Sequence, residues 1–255
     1  MKRIIIATIG SIMLASSAMA ASISTYPMRV ELEEGSSIGE LTVFNAGDKP
    51  ANIQARAMVW TQDEKSGAEI MEETKELIFF PKIFSVPAKG SQVIRVGYQK
   101  KVGNKEKSFR LFVRELPVDE PGQTGARFAV QISSPAFIYP KGAVQPTKPT
   151  VDGIEVAEGK LMARVSNSGA RYYSMNKLEI NGSKGGKEVY KGEVAGWYVL
   201  AGVSKLFPLN VSRVDCQKMD SVHLIAHTQT DKNEVNFPVD AALCGKITVE
   251  TAAKQ

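Results

Sequence analysis

Few side chains in the 255-residue sequence are of a type and spacing that does chemistry. The only histidines, His223 and His227, stand four apart in the run SVHLIAHTQT. On a strand they share a face, but four residues of extended chain is a poor separation for two ligands of one metal. Core or cross-strand histidines are expected instead. Ser133 and Ser134 have no histidine or aspartate placed by a nucleophile-activating motif. Asp119 and Glu120 follow Pro117 in a loop, where carboxylates are ordinarily solvated. No Gly-rich phosphate loop opens a helix. The sequence is therefore not expected to be an enzyme, and it calls for no metal or cofactor.

The residue that does demand an explanation is a cation. In NKEKSFRLFVRELP, 104–117, a strand sends Phe109, Leu111 and Val113 to one side and Arg110, Phe112 and Arg114 to the other. Arg110 sits in the middle of an apolar run, and a buried cation needs a partner because the interior does not solvate it. The second chemical feature is the pair Cys216 and Cys244. In an exported protein a lone pair is expected to be bridged, here closing a loop of roughly 30 residues.

Export is read from the first twenty residues. MKRIIIATIGSIMLASSAMA has a basic start, an apolar middle and the ending Ala18-Met19-Ala20, the pattern of a cleaved secretory signal. No later run is long and apolar enough for a membrane helix, so no membrane insertion is expected. Without Lys2 and Arg3 the formal charge of +5 falls to +3. With its lysines scattered rather than massed, the chain is not expected to bind nucleic acid.

The elements that must position these residues are strands. Short β-rich runs broken by Gly, Asn, Asp and Pro fill the chain. The first half holds SISTYPMRVELE, GELTVFNAG, ANIQARAMVWTQ, ELIFF, SQVIRVGYQ, KSFRLFVREL and ARFAVQISSPAFIYP. Seven is about the number an immunoglobulin-like sandwich uses. PKGAVQPTKPTVDG, with three prolines and few apolar residues, reads as a hinge. A second set follows: KLMARVSNSG, SMNKLEING, KEVYKGEV, SKLFPLNV, SVHLIAHTQT, EVNFPVD and KITVE. The expected fold is all-β, two immunoglobulin-like sandwiches in series. The signal is 1–20, the first domain 21–140, the hinge 141–152 and the second domain 153–255.

Several motifs together carry a resemblance. They are Pro-Met-Arg-Val-x-Leu near the start, the corner Phe80-Pro81, Pro87-Ala88-Lys89-Gly90 before SQVIRV, Arg114-Glu115-Leu116-Pro117 downstream of Glu106 and Phe109, and the strand end Phe137-Ile138-Tyr139-Pro140. Over residues 22–140 the chain resembles the periplasmic chaperones of the chaperone–usher pathway, which assemble fimbriae. The resemblance implies two immunoglobulin-like domains set as a boomerang around a cleft. It also implies fimbrial subunits and an outer-membrane usher as partners, and the periplasm as location. Such chaperones lend their last first-domain strand to an incomplete subunit by donor-strand complementation, a form of β-augmentation. Phe128, Val130 and Ile132 alternate on that strand and are the expected donor residues. An ordinary last strand covered by its own domain is the competing reading. A two-domain structural or adhesive surface subunit is the competing function.

The resemblance further implies two basic residues that hold the subunit's terminal carboxylate. Arg29 matches the one on the first strand. The other, a lysine on the last strand, is replaced here by Pro135, and the arginine of the strand end by Tyr139. These departures resemble the divergent, archaic branch. One cation is lost from the last strand and one is gained on its neighbour, so Arg29 with Arg110 is the expected anchor. A structural ion pair of Arg110 with Glu106 or Glu115 is the alternative.

Overall fold

The computed structural model describes residues 23–36, 38–63, 66–117, 129–144 and 150–249. The signal segment and Phe128 lie outside the described residues. Ten strands form the first domain: β1 (Ile23–Tyr26), β2 (Val30–Glu33), β3 (Gly39–Asn45), β4 (Ala51–Gln62), β5 (Glu69–Glu73), β6 (Ile78–Phe80), β7 (Ile83–Val86), β8 (Ser91–Gly97), β9 (Lys107–Leu116) and β10 (Gln131–Tyr139). One sheet runs β1-β3-β8-β6, and the other runs β2-β10-β9-β4-β5 with β7 also on β4. Between them lies a core that includes Leu41, Val43, Ile53, Ile94, Phe109, Leu111 and Ile138.

One of the expected runs is split between the sheets. SISTYPMRVELE breaks at Pro27, with β1 on one sheet and β2 on the other; ELIFF ends at Phe80 in β6, and β7, which follows Pro81 on the other sheet, was not among the expected runs. A proline has no N–H for the ladder, so a strand leaves its sheet there at little cost. β5 was not legible, because its residues EIMEE are all exposed and show no alternation.

The second domain has β11 (Thr150–Ala157), β12 (Lys160–Ser166), β13 (Tyr173–Ser174), β14 (Lys177–Lys184), β15 (Lys187–Ala195), β16 (Tyr198–Val199), β17 (Ser204–Pro208), β18 (Ser221–His227) and β19 (Lys232–Pro238). They form sheets β11-β12-β17, β13-β16 and β15-β14-β18-β19. Pairing of β11 begins with Thr150 opposite Ser166, inside the span expected as hinge. The described part of KITVE, residues 246–249, is not a strand: Ile247 is buried, and the Thr248 and Val249 amides both donate to the Gly159 carbonyl.

Two helices, α1 (Arg213–Gln217) and α2 (Ala241–Gly245), are too short to show a helical period. Each is N-capped, Ser212 accepting from the Asp215 amide and Asp240 from the Leu243 amide. They carry the two cysteines into the core of the second domain, where Cys216 and Cys244 are bridged. The closed loop, with a sequence separation of 28, is worth about 3–4 kcal/mol in the chain-entropy picture. Cys216→Ser is expected to lower the melting transition of the second domain by that amount and to leave the first unchanged. Calorimetry showing both transitions lowered equally would mean that the domains unfold as one unit.

Candidate functional site

One face of the β2-β10-β9-β4-β5 sheet covers the first-domain core, and the other is turned to the second domain. Register decides which side chains share the second face. Arg110 stands opposite Pro135 on β10 and Met58 on β4, and Phe137 stands opposite Ser108 on β9 and Glu31 on β2. Trp60, two residues beyond Met58, falls on the same face. There it joins Phe137, Tyr172, Leu200 and Val203 in a buried cluster with Tyr198 packed against it. Phe137 and Tyr172 stack across the domain boundary at 3.7 Å.

Arg110 lies under this cluster. Its guanidinium carbon is 3.8 Å from the Trp60 ring centre, with Trp197 at 5.5 Å and Tyr198 at 5.7 Å. The residue is only 5% exposed, and its Nε donates to no acceptor. Burial lowers its pKa, opposed by the fields of Tyr198 and Glu69. Among the described residues no ion pair reaches Arg110. Glu69 is engaged by Trp60, Gln62, Trp197 and Lys205. Glu106 faces the second domain instead, where its Oε1 accepts from the Tyr172 amide at 2.7 Å. The π faces therefore stand where a carboxylate was expected.

Arg29 ends the bend before β2. Because Val30 stands opposite Ala136 and Pro135 opposite Arg110, residues 29, 135 and 110 fall on one line across three strands. At an interstrand spacing of about 4.8 Å, the two arginine backbones are roughly 10 Å apart. Arg29 is partly exposed and borders an open hollow lined by Pro27, Met28, Arg29 and Glu31. Its Nε donates to Glu31 at 2.7 Å, and Glu31 also accepts from Arg171 at 2.8 Å and from the Tyr172 hydroxyl. Burial raises the Glu31 pKa, but Tyr172, Arg29 and Arg171 together outweigh it and hold it below the usual carboxylate range.

The start of β10 has no ladder partner on its β2 side, although Ser134 and Pro135 are buried and the Ser134 hydroxyl meets that of Thr25 on β1. β2 pairs with β10 only from Ala136 to Tyr139, so Gln131–Pro135 has β9 alone as its ladder partner. Ile132 stands opposite Val113, and both Val130 and Ile132 are half-buried against the first-domain core. These two residues thus extend the core face. They do not belong to the face turned to the second domain.

The histidines make cross-strand contacts in the β15-β14-β18-β19 sheet of the second domain. His223 lies 3.4 Å from Glu234 and His227 lies 3.2 Å from Glu179. Among the described residues no three His, Cys, Asp or Glu side chains are grouped to hold a metal. No helix of the described residues is long and apolar enough to cross a membrane.

Residues 22–144 match the N-terminal domain of the pili and flagellar-assembly chaperones. The first domain belongs to that family. Solved pilus chaperones share the fold over both domains, about 85% of the chain. The complex of the CsuC chaperone with the tip adhesion subunit CsuE, from the archaic Csu pili of Acinetobacter baumannii, matches with a TM-score of 0.62. Identity is 20%, over 85% of this chain and 98% of that one. The CupB2 chaperone of Pseudomonas aeruginosa gives 0.53 at 17% identity, over 85% and 100%. The Salmonella enterica SafB chaperone with SafA pilin gives 0.52 at 17%, over 86% and 96%. At these identities the likeness shows the two-domain immunoglobulin-like fold. A search of curated protein sequences finds no match.

Sequence reasoning does not single out Glu31, Arg171, Tyr172 or Trp60. A signal for Glu31 exists: in Val30-Glu31-Leu32 it alternates with two buried residues, which puts it on the face of Arg29. The loop pair Arg171-Tyr172 has no periodicity to read.

Proposed function

We propose that this protein is a periplasmic chaperone that completes fimbrial subunits by donor-strand complementation and delivers them to an outer-membrane usher. The observation that carries this reading is the start of β10, Gln131–Ser133, which is not buried and has β9 alone as ladder partner, with Val130 and Ile132 half-buried along it. An open strand edge with apolar residues is an aggregation hazard unless it has a use. A subunit that lacks a strand supplies one. Phe128 extends the same alternation in the sequence. Co-expression with the fimbrial subunits of its operon is expected to give a soluble one-to-one complex. Ladders of self-association would favour a structural or adhesive surface subunit instead.

The terminal carboxylate of the subunit is proposed to sit between Arg29 and Arg110. The line through residues 29, 135 and 110 supports this, as does the unpartnered Arg110 Nε. Arg29→Ala and Arg110→Ala are each expected to weaken subunit binding by about 1.5–3 kcal/mol, the scale of a charge-assisted hydrogen bond. The double variant is expected to lose less than the sum, because both arginines share one ligand. Arg110→Lys recovers part of the loss, since a point charge replaces a fork. If Arg110→Ala binds normally but melts much lower, Arg110 serves only the aromatic interface.

A further inference from the structure

The domain boundary is tied at both edges of the β2-β10-β9-β4-β5 sheet. At the β2 edge Arg171 reaches Glu31. At the β5 edge Glu69 receives donors from both domains. Trp60 Nε1 donates to its Oε2. On Oε1 converge Gln62 Nε2 at 2.9 Å and, from the second domain, Trp197 Nε1 and Lys205 Nζ, each at 3.0 Å. Burial raises the Glu69 pKa, but the hydrogen bonds of Trp60, Lys205 and Gln62 outweigh it and hold it below the usual carboxylate range.

The turn that leads into β5 docks on the second domain as well. Lys205 Nζ donates to the Gly67 carbonyl at 2.7 Å. Gln62 bonds the Tyr198 carbonyl at 2.9 Å and the Leu200 amide at 3.0 Å. The approach leaves no room for a side chain at Gly67, whose φ is +69° and whose Cβ, if it had one, would stand 2.5 Å from the Lys205 Cα. A turn that meets another domain's backbone so closely is fitted to it.

The path of the chain makes this edge decisive. The connection to the second domain leaves from β10, beside β2. β5 lies three strands further across the sheet, roughly 14 Å away at an interstrand spacing of about 4.8 Å. A domain tethered at one edge swings about that tether unless the far edge is held. The same carboxylate also orients two of the rings around Arg110. Trp60 and Trp197, whose N–H groups it accepts, have their ring centres 3.8 Å and 5.5 Å from the guanidinium carbon.

We propose that the β4–β5 hairpin is a clasp on the second domain with Glu69 as its latch, fixing the interdomain angle and placing Arg110 against the tryptophan rings. Glu69 is a positioning residue, which acts on Arg110 through Trp60 and Trp197. The clasp does not depend on what the protein binds.

The test is NMR of the mature protein. The chain has two tryptophans, so two indole N–H resonances report on Glu69, and Trp197→Phe assigns them. In the wild type both indoles are expected to exchange slowly with water, and one alignment tensor to fit the residual dipolar couplings of both domains. The Arg110 Nε–Hε resonance is expected upfield, displaced by the Trp60 ring. Glu69→Gln is expected to speed exchange at the Trp60 indole, to lose the common tensor and to move the Arg110 resonance towards that of a free arginine. Glu72→Gln, at an exposed residue of the same strand, is expected to change none of these. A common tensor retained in Glu69→Gln overturns the clasp, and a lost tensor with a stationary Arg110 resonance overturns the positioning role. If Glu69→Gln does not fold, Gly67→Ala decides, because it keeps every donor of Glu69 and obstructs the docking of the turn. A common tensor in Gly67→Ala then overturns the proposal.

Discussion

Ile132→Asp is expected to abolish subunit capture while leaving a folded, less stable first domain. In the free protein Ile132 is half-buried opposite Val113, at the start of β10 where β9 is its only ladder partner. An aspartate there swings to water, so the cost to folding is about 1–2 kcal/mol, part of the burial of one aliphatic side chain. On the proposed donor-strand role, the same side chain enters the apolar groove of the subunit, where no partner awaits it. Loss of the isoleucine contact plus desolvation of an unpaired carboxylate costs at least about 4 kcal/mol, roughly a thousandfold in affinity. Ile132→Ala separates the two effects, because it removes only the contact and is expected to lose about 10–100-fold. Affinity for a purified subunit and the thermal melt of the free variant are the measurements. Capture at wild-type affinity by Ile132→Asp would remove β10 from the binding surface.

The two sandwiches were legible because their strands alternate, and alternation follows directly from burying one face. Leu41 and Val43 on β3 and the paired faces of β9 are examples. The split of the first strand was not legible from alternation, since Pro27 interrupts a run that otherwise continues on both sides. The site was legible in part. Arg110 stood out as a cation in an apolar run, and it is indeed buried. Its surroundings did not stand out, because Trp60 and Tyr198 come from segments 50 residues before it and 88 after it. No local pattern predicts which aromatic rings two domains bring together. Glu31 and Arg171 illustrate the same limit: each looks like an ordinary surface charge, and only the domain boundary makes them partners.

Replacing Glu106 by glutamine is expected to remove a large loss of stability between about pH 4.5 and 8. Glu106 precedes β9, is buried, and receives the Tyr172 amide on one oxygen, while its other oxygen has no partner. Burial raises its pKa from 4.5 to about 8; the Tyr172 N–H and Arg171 oppose this, while Glu31 adds repulsion. The folded state therefore holds this proton more tightly than the unfolded chain. Its contribution to stability is fully present below about pH 4.5, declines as pH rises through the window, and is lost above about pH 8. A raised pKa of this size corresponds to about 5 kcal/mol across the window. Glutamine keeps the acceptor for Tyr172 and has no proton to lose, so it carries no such slope. Denaturant midpoints of wild type and Glu106→Gln at pH 5, 7 and 9 are expected to diverge, with the variant increasingly the more stable. The divergence should centre on the domain boundary, since the Glu106 amide also donates to the Ala170 carbonyl. Above pH 8 the ionised carboxylate faces Glu31 across Tyr172 with Arg171 already engaged, and the contact between β9 and the Ala170–Tyr172 loop is the first to open. Parallel stability curves for the two proteins would mean that Glu106 titrates as an ordinary solvated carboxyl and that the boundary does not hold its proton.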